Sequence, residues 1–181
     1  MLALALVGTL TILLIIVAVS TYNRLVRHRE AIDNAWAHVD VQLERRHDLI
    51  PNLVETVKGH AAHERQTLEA VTTARRQAVS ARTPRDRAAA EERLTGTLRD
   101  LLAVAESYPE LKAGQSFTGL RDELTDTENR IAYSRQYYND AVLTYNNAIR
   151  TVPANIVAGL IGLAPREYFQ ADERGPVQVR F

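Results

Sequence analysis

Apolar residues recur at alternating steps of three and four along the chain after residue 30. The first series runs from Ile32 through Leu43 to Ala78. This spacing places the apolar side chains on one face of an α-helix. The pattern predicts one long amphipathic helix that ends near SARTPRDR, where Thr83-Pro84 is typical of a turn and a new helix start.

Two more helices are predicted downstream. One spans about residues 84–107, and another begins at the N-cap candidate Ser116 and continues until Pro153 stops it. The segment ANIVAGLIGLA that follows is apolar but too short to span a bilayer. The chain is therefore expected to be all-α, with an antiparallel up-and-down bundle of about four helices.

Residues 2–19 carry no charge. A helix of that length spans roughly 27 Å, close to the thickness of a hydrocarbon core. A cleaved signal peptide is the alternative, but the exit VAVS is a poor cleavage site. We expect a transmembrane anchor at 1–21, a helical bundle domain at 22–169 and an irregular tail at 170–181.

Positive charge follows this anchor at Arg24, Arg27 and Arg29. The positive-inside tendency predicts a single-pass protein of the cell (inner) membrane, with the N-terminus outside and the bundle in the cytoplasm. The net charge of the whole chain is zero and it has no cysteine. This composition argues against a nucleic-acid partner and excludes disulfides and thiolate metal sites.

The stretch RRHDLIPNLV places Arg46, His47 and Asp48 just before Pro51. A buried Arg-His-Asp group could be an acid-base site, but a structural polar layer that pairs with charges on facing helices is favoured. Candidate partners lie on the third predicted helix: Glu123, Glu128, Arg130 and Arg135. Pro51 either kinks the long helix, which is the favoured interpretation, or lies in the first turn of a new helix capped by Asp48.

The segment HAAHE raises the question of a metal site. His60 and His63 are three residues apart and would share a helix face, with a third ligand from Glu106 or Glu128. The spacing matches neither of the two zinc-protease helix motifs. Solvated histidines are the favoured interpretation, and we expect no metal and no cofactor.

Two surface features are candidate docking sites. Four tyrosines line the third predicted helix, and Tyr133 and Tyr137 fall outside its apolar stripe. Packing against the first helix is the favoured interpretation of these two, and a protein interface is the alternative. A basic cluster surrounds the first turn between helices, and it is either a solvated turn or a partner-docking tip. Its members are Arg75, Arg76, Arg82, Arg85 and Arg87.

Three stretches of the chain resemble the LemA family of bacterial membrane proteins: residues 22–64 with RRHDLIPNLV, residues 106–147 with YPELKA and TENRIAYSRQYYN, and residues 153–169. The resemblance implies an N-terminal transmembrane helix followed by a helical bundle, and it implies no enzymatic reaction. Two positions depart from the family pattern. His60 replaces an aromatic residue, and Gly114 replaces an asparagine.

These patterns favour a non-enzymatic interaction or scaffold protein of the bacterial envelope. It would contact the bilayer through residues 2–19 and bind a protein partner or further copies of itself. One alternative is a lipid-interacting or membrane-remodelling protein that uses ANIVAGLIGLA as an interfacial helix. A metal-dependent hydrolase that uses His60 and His63 is the other alternative.

Overall fold

The computed structural model describes residues 1–170, and these contain helices but no strand. The all-α prediction is therefore confirmed for this part of the chain, while the predicted tail lies almost wholly outside it. The helices are α1 (Leu2–Lys58), α2 (Arg65–Ser80), α3 (Pro84–Glu106), α4 (Pro109–Lys112), α5 (Gln115–Ala148) and α6 (Ala154–Leu160).

The first third of α1 is apolar and exposed. Every residue from 1 to 20 is exposed, and the first buried residue is Thr21. The mean hydropathy of an 18-residue window in this helix reaches 2.9, so the helix is long and apolar enough to cross a membrane. The anchor expected at 1–21 stays a prediction.

The long amphipathic helix is interrupted where the sequence pattern predicted continuity. α1 ends at Lys58, and α2 begins at Arg65. Gly59 follows directly, and glycine is a poor helix former. Ala61 is buried within the connection, and its N–H donates to the Val57 carbonyl at 2.8 Å. The prediction of one continuous helix up to Ala78 was therefore wrong. The 3–4 apolar spacing continues on both sides of the turn, so the spacing by itself does not reveal the break.

Pro51 lies inside α1, and the helix does not restart at Asp48. The alternative in which Asp48 caps a new helix is therefore excluded. Proline cannot donate to the carbonyl four residues earlier, which belongs to His47. The side chain of Arg75, on α2, donates its Nε–H to that carbonyl at 2.6 Å. A neighbouring helix thus supplies the hydrogen bond that Pro51 removes.

The other helix boundaries follow local signals to different degrees. Thr83 caps α3, and its hydroxyl accepts from the Asp86 N–H at 3.0 Å, as Thr83-Pro84 indicated. α5 begins at Gln115, one residue before the predicted cap Ser116. It ends at Ala148, before Pro153, and the short helix α4 was not predicted.

The chain forms two compact units. Among the described residues, one comprises 38–136 and 168–170, and it holds the carboxyl-terminal part of α1, helices α2 to α4 and the amino-terminal part of α5. Its core is built from the 3–4 series of these helices, including Leu53, Val71, Leu94 and Leu124. We call it the core unit.

Helix directions in the core unit follow from its short connections and its ion pairs. Short connections place successive helices antiparallel. Asp40 pairs with Arg87, and six residues later on α1, Arg46 pairs with Glu91 of α3. Pairs that advance together along both helices show that α1 and α3 are parallel. This is the relation that an up-and-down arrangement requires of alternate helices.

The other unit comprises residues 1–37 and 137–167, and we call it the anchor unit. The rings of Trp36 and Tyr138 pack edge to face, with centroids 5.2 Å apart. Leu25, Val142 and Tyr145 are buried in the same unit. The carboxyl-terminal end of α5 thus covers the segment of α1 that follows the apolar run.

Candidate functional site

Arg46 lies on the apolar seam of α1, three residues after Leu43 and four before Ile50. Its side chain is 2% exposed, so its charge requires partners inside the core unit. One terminal nitrogen donates to Glu128 Oε2 at 2.6 Å and to Thr95 Oγ1 at 3.0 Å. The other donates to the Glu91 carboxylate and, at 3.3 Å, to the Glu91 carbonyl.

Glu91 contacts two side chains of α1. Its Oε2 contacts Arg46, and its Oε1 lies 2.8 Å from His47 Nε2. Burial by itself raises the pKa of this carboxyl. The hydrogen bond from His47 and the charge of Arg46 outweigh burial, so the pKa of Glu91 lies below its ordinary value.

We call Arg46, His47, Glu91 and Glu128 the buried ion cluster. It connects α1, α3 and α5, and its positive and negative groups are paired with each other. Such a cluster costs desolvation energy, but removal of one partner leaves a charge uncompensated in the core. The arrangement orients the helices, and within it no hydroxyl or thiol is activated by a base.

A groove of about 220 Å³ adjoins the buried ion cluster. Arg46 and Glu128 line it together with Leu98, Leu102 and Leu124. Arg99 and Arg121 also line the groove, and most of its surface is apolar.

The residues proposed for a polar layer have different environments in the structure. Arg46 and His47 are buried, whereas Asp48 is exposed and lies outside the cluster. Glu128 is a partner of Arg46. Of the other candidate partners, Glu123 pairs with Arg45 at 2.8 Å, Arg130 pairs with Asp126, and Arg135 stacks over the Phe169 ring.

Glu91 was missed from the sequence. A signal for it exists, because Glu91 precedes Leu94, Leu98, Leu101 and Ala105 at steps of three and four. A glutamate on a helix seam calls for a cation on a facing helix. The pattern could have marked Glu91 as buried, but it could not have shown that Arg46 and His47 face it.

The two histidines of HAAHE are not on a helix. His60 and His63 lie in the connection between α1 and α2, and both are exposed. His60 Nδ1 lies 3.3 Å from the Thr56 carbonyl. Within residues 1–170, no group of three or more metal-ligating side chains is found. The expectation that both histidines would share a helix face was wrong because the helix ends at Lys58.

The five arginines near the first turn have different environments. Arg75 is half-buried against the His47 carbonyl, and Arg87 is half-buried and pairs with Asp40. Arg76, Arg82 and Arg85 are exposed. Two of the five are therefore packing contacts, and the exposed basic surface of this turn is smaller than the sequence suggests.

Polar side chains of α5 hold the segment at residues 164–167 in the anchor unit. The Asn146 amide accepts from the Arg166 N–H at 2.8 Å and donates to the Arg166 carbonyl at 3.0 Å. Tyr145 donates to the Ala164 carbonyl, and Tyr138 to the Glu167 carbonyl at 2.9 Å. Burial raises the pKa of the Tyr138 phenol, which stays the donor. Tyr133 and Tyr137 are exposed on α5.

The helical units and the exposed apolar start of α1 define a membrane-associated helical-bundle protein. The LemA family model matches residues 35–181, and the chain belongs to the LemA family. The resemblance stated from the sequence motifs is thereby confirmed.

Over the aligned residues, about a quarter of the positions are identical between the chain and its curated relatives. Protein LemA of Metamycoplasma hominis is 27% identical over 167 residues, which cover 90% of this chain and 75% of the relative. Magnetosome protein MamQ of Magnetospirillum gryphiswaldense is 26% identical over 184 residues, covering 87% and 68%. Magnetosome protein MamQ 1 of Paramagnetospirillum magneticum is 27% identical over the same shares.

Proposed function

We propose that this LemA-family protein is a non-enzymatic interaction or scaffold protein of the bacterial envelope. The buried ion cluster is the observation that carries the proposal. Its charges pair with one another and connect three helices, as in a structural layer. The similar MamQ proteins are named after magnetosomes and not after a reaction, which is consistent with this role.

The exposed turn between α2 and α3 is the surface we propose for a protein partner. Arg76 and Arg82 are exposed there, and Val79 between them is 52% exposed. Cations around an apolar side chain suit a partner with an acidic rim and an apolar centre. Arg75 and Arg87 bond to His47 and Asp40 inside the core unit, so they stabilise the helices under this surface and are not part of it.

A site-specific photocrosslinker at Ser80, in the full chain in cells, tests the surface. We expect a discrete adduct that is lost when Arg76→Glu and Arg82→Glu are combined. The matched control is Arg93→Glu, which reverses another exposed cation, on α3. An adduct that persists in the double variant, or disappears equally in the control, would contradict docking at this turn.

The proposed location is the inner membrane, with the core unit in the cytoplasm. Support comes from Arg24, Arg27 and Arg29 after the apolar run. The chain has no cysteine, so Ser80→Cys gives one exposed label site. An impermeant maleimide should label it only after lysis. Labelling in intact cells, with any outer membrane made permeable, would reverse the proposed orientation.

A further inference from the structure

Helix α6 presents its large apolar side chains outward and its small ones inward. Ala154 and Ala158, four residues apart, are buried. Ile156 and Leu160, also four apart, are 62% and 82% exposed. A surface helix in water normally has the reverse arrangement, since burial of large apolar groups drives packing. The exposed face continues at both ends, through Val152 and Ile161.

This face lies at the level where the apolar run of α1 ends. Arg46 pairs with Glu128, and Trp36, ten residues earlier on α1, contacts Tyr138, ten residues later on α5, so the two helices are antiparallel. Leu25, eleven residues before Trp36, is therefore level with Ile149, eleven residues after Tyr138, and both are buried. Thr21 is one turn further along α1 and is 6% exposed, and α6 begins five residues after Ile149.

Helix α6 thus begins near the level at which the uncharged run of α1 ends. Polar and cationic groups occur at the same level. Tyr22 is 46% exposed, Arg24 and Arg27 are exposed on α1, and Arg150 is exposed after α5. Exposed tyrosine and arginine side chains next to an apolar segment are the composition that suits the headgroup region of a bilayer.

We propose that α6 inserts its outward face into the interfacial region of the same membrane that residues 2–19 span. Val152, Ile156, Leu160 and Ile161 would enter the boundary between headgroups and acyl chains, at a depth of roughly 5–10 Å. Arg24, Arg27 and Arg150 would contact anionic headgroups. The anchor unit then has two membrane contacts, which restrict its rotation about the anchor.

Tryptophan fluorescence of the full chain in lipid vesicles tests the insertion. Trp36 is the only tryptophan, so a Trp36→Phe background accepts a single new probe. The probe variant is Leu160→Trp, and the matched control is Asn34→Trp, exposed in the same unit but further from the apolar run. Vesicles combine phosphatidylcholine and phosphatidylglycerol, either ordinary or brominated near the carbonyl end of the acyl chains. Circular dichroism verifies that both variants remain helical.

We expect brominated lipid to quench the probe at position 160 strongly and to leave the probe at position 34 unchanged. Equal emission from position 160 in both kinds of vesicle would overturn the proposal. A blue-shifted emission without quenching would assign the face to a second copy of the chain, which also overturns it. Equal quenching at both positions would show lipid contact that is not specific to α6, with the same consequence.

Discussion

Glu91 is buried and contacts two side chains of α1. Its side chain is 5% exposed, and its two oxygens contact different partners, Arg46 and His47. Each carboxylate oxygen therefore makes a separate contact with α1. Glu128, the second carboxylate of Arg46, is 46% exposed and contributes less because solvent screens it.

Replacement of Glu91 by glutamine tests this arrangement. Glu91→Gln removes the negative charge and leaves Arg46 buried with one exposed carboxylate. We expect the free energy of unfolding to fall by about 3 kcal/mol. Urea unfolding of the full chain in a mild detergent, followed by circular dichroism, measures the change. Glu92→Gln, at the exposed neighbouring position, is the control, and equal stability of the two variants would contradict the structural role of the cluster.

The stability contributed by Glu91 should depend on pH. Its pKa is lower in the folded chain than in the unfolded chain, so the unfolded chain binds the proton more readily. The contribution is complete above the ordinary glutamate pKa of about 4.3 and is lost as the pH falls through the lower folded value. The stability difference between the native chain and Glu91→Gln should therefore shrink as the pH is lowered from about 5 through and below the ordinary glutamate pKa of about 4.3. A difference that stays constant over that range would show that the carboxylate charge is not involved.

At the scale of helices, α1 carries a proline that the neighbouring helix compensates. Pro51 leaves the His47 carbonyl without its helical donor, and Arg75 occupies that position at 2.6 Å. His47 also belongs to the buried ion cluster. The proline, the arginine and the cluster thus meet at one level of the core unit.

A double-mutant cycle measures the compensation. Arg75→Met keeps an apolar stem but removes the donor, and should destabilise the native chain by about 1.5–3 kcal/mol. In a Pro51→Ala background the alanine N–H bonds the His47 carbonyl, so the same change should have a smaller effect. Unfolding free energies of the four chains give the coupling. Additive effects would show that Arg75 and Pro51 are independent, and Arg76→Met controls for loss of an exposed cation.

The contact between α5 and residues 164–167 depends on a side-chain amide. Asn146→Ala removes both hydrogen bonds to the Arg166 backbone and should destabilise the anchor unit by about 1–3 kcal/mol. Local opening should also speed trypsin cleavage after Arg166. Asn147→Ala is the control, because Asn147 is the exposed neighbour. Cleavage at the same rate in both variants would mean that the amide does not hold this segment.

At the scale of the whole molecule, we expect the apolar start of α1 to hold the protein in the membrane. Leu10→Arg combined with Leu14→Arg introduces two charges into the uncharged run, at about 2.5–3.5 kcal/mol each. We expect the native chain to stay in the membrane pellet after alkaline carbonate extraction and the double variant to be released. Leu10→Ala with Leu14→Ala is the control. Retention of the arginine variant would show that the other parts of the chain suffice for membrane binding.

Local patterns of the sequence were enough to predict an all-α chain and a first helix long and apolar enough to cross a membrane. The 3–4 apolar spacing, the uncharged residues 2–19 and the Thr83-Pro84 start are all found in the structure. Each of these features depends on interactions within one or two helical turns or on the length of one segment. The order of residues is therefore sufficient to predict them. The seam of α1 also placed Arg46 among buried positions before any partner was known.

Contacts between distant residues were decided only by the tertiary structure. Arg46 and Glu91 are 45 residues apart, and no local rule pairs them rather than Arg46 with Glu123. The break at residues 59–64 was hidden because the apolar period resumes on the other side of it. Arg75 reads as part of a basic cluster until packing brings it to His47. The energy of each such contact depends on burial and geometry, which arise only when the helices pack together. The 3–4 apolar spacing, in contrast, is a property of the order of residues and is the same before the chain folds.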